Sequence, residues 1–180
     1  MDEAGRGPLA GPVVASAVIL HDFRFKLPVD DSKRMTPLAR EHAYRAILSC
    51  ASIGIGAVGA EEIDRIGILN ATHLAMVRAL WKLPFRPELV LVDGSSLPRD
   101  CPLPMRAVVR GDGKSLSIAC ASIVAKVVRD QWMELVHALH PEYGFRRHKG
   151  YGTERHFRQL ESVGPCRFHR FSFRPIRRDE

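Results

Sequence analysis

Residues 13–20 form an almost unbroken apolar run, rich in valine and followed by polar residues, which predicts a strand. Thr36 followed by Pro37 is a helix start, an N-cap residue ahead of a proline at the first helical position. That helix is expected to run to about residue 48, with Leu38, Tyr44, Ile47 and Leu48 turned inward. Residues 53–58 predict a second strand, although Gly54 and Gly56 weaken it locally. A helix within 68–83 places Leu69, Met76, Val77 and Leu80 at helical spacing. Residues 89–93 (LVLVD) are a short buried strand that ends on a carboxylate, and 106–109 is another strand. A long helix follows over 115–139. From Leu116 to Val128 it is apolar almost all round, the mark of a buried helix. Its polar positions Ser115, Ser122, Lys126, Arg129 and Asp130 fall on one narrow stripe, expected to face water or a polar site. Early strands, with helices between the later ones, predict an α/β core with a mixed sheet over 1–140. The basic and aromatic stretch 141–180 reads as a helical and loop appendage.

Composition narrows the class. An apolar fraction of 46% is that of a folded globular chain. No apolar run approaches the ~18–20 residues of a membrane helix. The acidic start Met1-Asp2-Glu3 does not resemble a secretory signal. Cys50, Cys101, Cys120 and Cys166 are scattered, with no Cys-x-x-Cys pair. They read as free thiols in a reducing cytoplasm, the expected location. Lys and Arg outnumber Asp and Glu by 27 to 20, which suits a polyanionic partner such as nucleic acid. The excess gathers at Arg146, Arg147, His148 and Lys149. It gathers again at Arg167, His169, Arg170, Arg174, Arg177 and Arg178, where Phe168, Phe171 and Phe173 are interleaved.

The candidate chemistry lies in carboxylates at unusual places. Asp2 and Glu3 precede the turn Gly5-Arg6-Gly7, Asp93 closes the apolar strand, and Asp112 lies in Gly111-Asp112-Gly113-Lys114-Ser115 ahead of the buried helix. Carboxylates converging at one sheet edge repel each other and resist ionising. Divalent cations relieve this, because hard ions prefer oxygen ligands. Two such ions about 4 Å apart can activate water and stabilise the leaving oxygen of a phosphodiester. Each residue also has an ordinary reading. Asp2 and Glu3 could be a solvated terminus, Asp93 a turn residue, and Asp112 a helix cap. For Asp130, four residues after Lys126, a helix-surface ion pair is the better reading. Tyr151 between two glycines could pack on the surface, or offer a flat ring to nucleic acid. Lys33, Arg146 and Lys149 fit phosphate contacts and equally fit a solvated basic face. Three other hydrolase classes fail on their motifs. Gly113-Lys114-Ser115 has Val108 where a phosphate loop needs glycine. His137 and His140 lack a His-Glu-x-x-His frame, and there is no Gly-x-Ser-x-Gly elbow.

The segment Asp2-Glu3-Ala4-Gly5-Arg6-Gly7-Pro8-Leu9-Ala10-Gly11-Pro12-Val13-Val14 resembles the opening signature of the ribonuclease HII family. The likeness continues in order through Asp31-Ser32-Lys33, Ala71-Thr72-His73-Leu74-Ala75-Met76, Leu91-Val92-Asp93-Gly94 and Gly111-Asp112. It runs on through Ala121-Ser122-Ile123-Val124-Ala125-Lys126-Val127, Arg129-Asp130, His140-Pro141-Glu142-Tyr143-Gly144, His148-Lys149-Gly150-Tyr151-Gly152-Thr153 and Gly164-Pro165-Cys166. The resemblance implies a ribonuclease H-like fold, with a five-stranded mixed sheet flanked by helices and a C-terminal helical appendage. It implies an endonuclease for RNA–DNA hybrids and for single ribonucleotides in duplex DNA, cutting 5′ of the ribonucleotide and leaving 3′-hydroxyl and 5′-phosphate ends. It assigns Asp2, Glu3, Asp93 and Asp112 as ligands of Mn²⁺ or Mg²⁺. It assigns Gly5, Arg6 and Gly7 to reading the 2′-hydroxyl, the group that separates RNA from DNA, and Tyr151 to packing on the adjacent sugar. Lys33, Ser122, Lys126, Asp130, Arg146 and Lys149 complete the candidate substrate contacts. A sliding-clamp contact stays open, and a monomer is the simplest assembly.

One departure stands out. Family members carry an apolar segment ahead of the Asp-Glu pair, forming a central strand, whereas here only Met1 precedes Asp2. This form is therefore expected to be less stable, and to bind metal less well, than one extended upstream. The alternative function is a catalytically impaired nucleic-acid-binding protein of the same fold. Regular strand alternation would also turn Asp2 and Glu3 to opposite faces.

Overall fold

The computed structural model describes residues 1–21, 35–99 and 101–176. Lys33, with Asp31 and Ser32, lies outside the described residues, as do Arg177 and Arg178.

Eight valine-rich residues make the central strand. β2 (Val13–Leu20) pairs antiparallel on one side with the short β1 (Asp2–Ala4), Asp2 opposite Ser16, and on the other with β3 (Ala51–Val58), Val13 opposite Val58. β4 (Val90–Asp93) and β5 (Met105–Val108) form a parallel pair. Met1 joins the two groups: its amino group donates to the Leu91 carbonyl at 2.9 Å, and the Asp93 amide donates to the Met1 carbonyl at 3.0 Å. The expected five strands are thus present in the order β3-β2-β1-β4-β5. The β1–β4 seam rests on one residue's backbone.

Both faces of β2 are covered. α1 (Pro37–Cys50) and α4 (Leu116–Leu139) pack on one face, burying Val18, Leu20, Ala43, Ile47, Ile123 and Val124 together. α2 (Ala60–Ile66) and α3 (Ile68–Leu80) cover the other, over Val13, Ala15, Ala17, Ala75, Met76 and Val92. Alternate residues of β2 therefore enter different cores, as a strand's two-residue period requires. The start of α1 is as expected, with the Thr36 hydroxyl accepting the Ala39 amide. Its inward face is Arg40, Ala43 and Ile47, however, and Leu38 and Leu48 are exposed. Leu69 is likewise exposed on α3. On α3 the buried side carries Ala71, Ala75 and Ala79, which allow close approach to the sheet, together with the expected Met76 and Leu80.

After α4 come two short turns of helix, one of them α5 (Phe145–His148), and then α6 (Glu154–Val163). Thr153 caps α6 by accepting the His156 amide. A third apolar cluster (Met133, Val136, Tyr143 and Phe145, with Leu160 and Phe168) joins this segment to the end of α4. The chain then returns to the core. Gly11 donates to the Phe168 carbonyl and Arg170 to the Leu9 carbonyl, both at 2.8 Å, beside the bridge between Ala10 and His169.

Candidate active site

The ends of β1 and β4 lie side by side, which gathers three of the predicted carboxylates. Asp2 is buried, with its oxygen accepting the Glu3 amide at 2.7 Å. Burial pushes its carboxyl up to about 7. The Glu3 and Asp93 charges push the same way, against hydrogen bonds from Ser122 and the Glu3 amide. Asp93 is held from both ends, its amide on Met1 and its carboxylate accepting the Gly111 amide at 2.6 Å. A Cβ at Gly111 would lie 2.6 Å from the Ile118 terminal methyl and 3.2 Å from Asp93 Oδ1, so a side chain there requires Ile118 to move.

The alternation expected at β1 holds. Asp2 turns to α4, where Ser122 meets it, and Glu3 turns to the cleft. The two charges are still close enough to perturb each other. Asp112 follows Gly111, whose amide donates to the Asp93 carboxylate. It sits on the 3₁₀ turn Gly111–Gly113, its carboxylate accepting the Gly113 amide at 2.9 Å. It does not cap α4, whose N-cap Ser115 makes no side-chain cap bond. Among the described residues no three His, Cys, Asp or Glu side chains form a ready-made metal cage. The donor set still fits a hard cation. Burial of Asp2, with the Glu3 and Asp93 charges beside it, holds its carboxyl at about 7, and a divalent ion would favour the ionised form.

Two adjoining clefts open from these carboxylates and share Glu3 and Arg6 as a common wall. One, of about 400 Å³, is lined by Gly5, Gly7, Ser122, Lys126 and Tyr151. The other, of about 320 Å³, is lined by His73, Asp93, Gly94, Ser95 and Ser96. Arg6 reaches Glu3 at 3.3 Å and is half exposed. Gly7 lies under the Tyr151 ring, where an added Cβ would be 3.9 Å from the ring edge.

Other candidates fall elsewhere. Asp130 pairs with Lys126 at 2.6 Å and with Arg40 at 3.9 Å, the helix ion pair expected of it. Arg146 (2.8 Å) and Lys149 both pair with Glu134.

The sequence reading missed the groups that shape the turn. Arg129 was assigned to a stripe facing water or a polar site, and Arg170 to a basic patch, yet both are fully buried. Arg170 donates to the carbonyls of Gly5 (2.6 Å), Arg6 (2.8 Å) and Gly11 (2.9 and 3.0 Å). Arg129 donates to Pro12, Ala10 and Lys149. Carbonyl and amide point opposite ways in a trans peptide, so pulling the Gly5 and Arg6 carbonyls inward aims the Arg6 and Gly7 amides outward. A charged residue inside an otherwise apolar helix was the available signal for Arg129. Nothing in the sequence separates Arg170 from its exposed neighbours.

His156 and His169 are also fully buried, and burial pushes each down to about 4 from an ordinary 6.5. Both stay neutral in the folded state while the unfolded chain takes up protons as pH falls below about 6.5. Stability is therefore lost between pH 6.5 and 4, on the order of 3 kcal/mol per histidine. Asp2 acts in the opposite sense, since its folded pKa lies above the unfolded one and folding gains as pH falls from about 7 to 4. Without added metal, urea titrations should show stability declining from pH 6.5 to 4, and declining more steeply in Asp2→Asn. A profile that is flat in both proteins would contradict the assignment of neutral buried rings.

A sheet with acidic residues at adjacent strand ends, covered by helices on both faces and opening into clefts that also hold Arg6 and Lys126, has the features of a nuclease of the ribonuclease H class. Ribonuclease H2 from Pyrococcus horikoshii superposes with a TM-score of 0.78 at 26% identity, covering 98% of this chain and 93% of that one. A ribonuclease HIII solved with Mn²⁺ shares the fold, with a TM-score of 0.71 at 21% identity, covering 91% of this chain and 61% of that one.

The chain belongs to the ribonuclease HII family, whose model matches residues 1–176. It is 48% identical to the ribonuclease HII of Chlamydia muridarum (98% of this chain, 82% of the relative) and 51% identical to that of Geobacillus kaustophilus (98% and 68%). It is accordingly a ribonuclease H, a divalent-metal-dependent endonuclease acting on RNA–DNA hybrids. Among the described residues, no helix is long and apolar enough to cross a membrane.

Proposed function

We propose that the protein cuts the RNA strand of hybrids and also single ribonucleotides embedded in duplex DNA, on their 5′ side, leaving 3′-hydroxyl and 5′-phosphate ends. The observation that carries this reading is the cleft in which Glu3, the Gly5–Gly7 turn, Ser122, Lys126 and Tyr151 meet beside Asp93. One side of it offers carboxylates for a cation. The other offers backbone amides and a flat ring for a ribose.

Asp2, Glu3 and Asp93 would hold the metal, with Asp112 joining from its turn as the fourth ligand. Mn²⁺ or Mg²⁺ held there, two ions together, would supply activation of water and stabilisation of the leaving oxygen. The chain's own residues do the rest. Ser122 orients Asp2. The Arg6 and Gly7 amides meet the 2′-hydroxyl, Tyr151 packs on the sugar, and Lys126 and Arg6 attract phosphate. Lys33, Arg146 and Lys149 add outer phosphate contacts, the last two on release from Glu134. Residues 141–180 act as an appendage that completes the cleft from the far side. The cellular setting is the cytoplasm, where the nucleic-acid substrates of a ribonuclease H are found. A sliding clamp is a partner to test, because an archaeal ribonuclease HII has been solved with PCNA.

The test is cleavage of a DNA duplex carrying one ribonucleotide, with end-group analysis of the products. Tyr151→Ala is expected to lower kcat/KM by about tenfold or more, with melting temperature unchanged. Failure to cut the single-ribonucleotide duplex at any Mn²⁺ or Mg²⁺ concentration, with hybrids still cleaved, would reject the wider substrate range.

A further inference from the structure

The segment that carries Tyr151 is held from behind by a buried chain of three histidines. The Tyr151 ring is 45% exposed, so its position depends on how its backbone is fixed. His148 Nε2 donates to the Tyr143 carbonyl at 2.8 Å, which leaves its Nδ1 to accept the Gly150 amide at 3.2 Å. His156 Nδ1 donates to the Tyr151 carbonyl at 2.9 Å, so its Nε2 is an acceptor. His169 Nε2 donates to that nitrogen at 3.0 Å, and His169 Nδ1 accepts the Cys166 amide at 2.9 Å. These partners assign one neutral tautomer to each ring and one direction to the chain, from the Cys166 amide through His169 and His156 to the Tyr151 carbonyl. The His148 and His156 rings stack at 4.4 Å and 16°, which fixes their planes.

The far end of the chain touches the other wall of the cleft. His169 adjoins Arg170, whose guanidinium holds the Gly5 and Arg6 carbonyls. Two consecutive buried residues thus reach one to each side: Arg170 to the turn that presents amides, and His169, by way of His156, to the loop that presents the ring.

We infer that His156, held in turn by His169, is a positioning residue for substrate selection, setting the Tyr151 ring against the Gly5–Gly7 turn so that the ring and the turn's amides meet the same ribose. The inference rests on the reading that Tyr151 packs on the ribose. A side chain displaced by about 1 Å can cost a large factor in rate, so the chain need only loosen, not break, to be felt in cleavage.

The isosteres of histidine separate this role from a merely structural one. Asn keeps a donor where Nδ1 stood, and Gln keeps a nitrogen or oxygen where Nε2 stood. His156→Asn should therefore retain the bond to the Tyr151 carbonyl and cut the single-ribonucleotide duplex within about threefold of the parent. His156→Gln should lose about tenfold or more. In a Tyr151→Ala background the His156→Gln loss should vanish, because no ring remains to be placed. If His156→Gln does not fold, His156→Ser, whose side chain is too short to reach the Tyr151 carbonyl, takes its place in the same cycle.

Equal activity of the Asn and Gln variants, or losses that multiply in the Tyr151→Ala background, would overturn the inference while leaving the ribose reading intact. A silent Tyr151→Ala would overturn the ribose reading itself, and the inference with it.

Discussion

Asp93→Asn is expected to reduce metal-dependent cleavage of an RNA–DNA hybrid by about 10³-fold or more, with duplex affinity kept within about threefold. The substitution is nearly isosteric, and the site can accept it without rearrangement. The Asp93 amide keeps its bond to Met1, and an amide oxygen can still accept the Gly111 amide that lies 2.6 Å from the carboxylate. Only the charge is lost. The proposed phosphate contacts are the side chains of Arg6 and Lys126, which the substitution leaves in place, so binding should survive. Cleavage against Mn²⁺ concentration, with hybrid affinity measured in parallel, separates the two effects. Parent-like cleavage by Asp93→Asn at ordinary metal concentrations would remove Asp93 from the ligand set.

Gly56→Ala should destabilise the fold by about 3 kcal/mol or more, a fall in Tm of roughly 6–12 °C for a chain of this length. On β3, Gly54 and Gly56 face α3. A Cβ on Gly56 would lie 2.0 Å from the Ala75 carbonyl oxygen, and one on Gly54 2.0 Å from that of Ala79. These neighbours are helix backbone, so relief requires moving the whole of α3. The close approach is built from small residues on both sides, Gly54 and Gly56 against Ala75 and Ala79. Gly59→Ala is the matched control, since nothing lies within 4 Å of its added Cβ and its φ is −76°. Thermal unfolding of the two variants side by side decides the matter. A Gly56→Ala protein as stable as Gly59→Ala would mean that α3 does not sit on β3 as described.

Those glycines show where local pattern and tertiary structure part company. From sequence they weaken a strand, because glycine favours disorder over extended backbone. In the fold they are what lets a helix lie directly on that strand. The other elements were legible because their cues are local. Valine-rich β2, the Thr36 cap of α1 and the all-round apolar α4 each state their environment in their own residues. Helix α2 was missed, being seven residues long and too brief for a periodic signal.

The sequence by itself determined the α/β class, the buried helix, the carboxylates at strand ends and, through its motifs, the family. Among the cleft residues it singled out Glu3, the Gly5–Gly7 turn, Asp93, Ser122, Lys126 and Tyr151, but not Ser95 or Ser96. What only the tertiary structure decided is which charged residues face water and which hold the backbone. Arg129 and Arg170 look like members of a basic surface, yet they fill the interior beneath the cleft, bonded to carbonyls 117 and 165 positions away. Charge count carries no information about desolvation. A buried guanidinium is tolerable only where several distant backbone oxygens converge on it, and that convergence exists only once the chain has closed on itself.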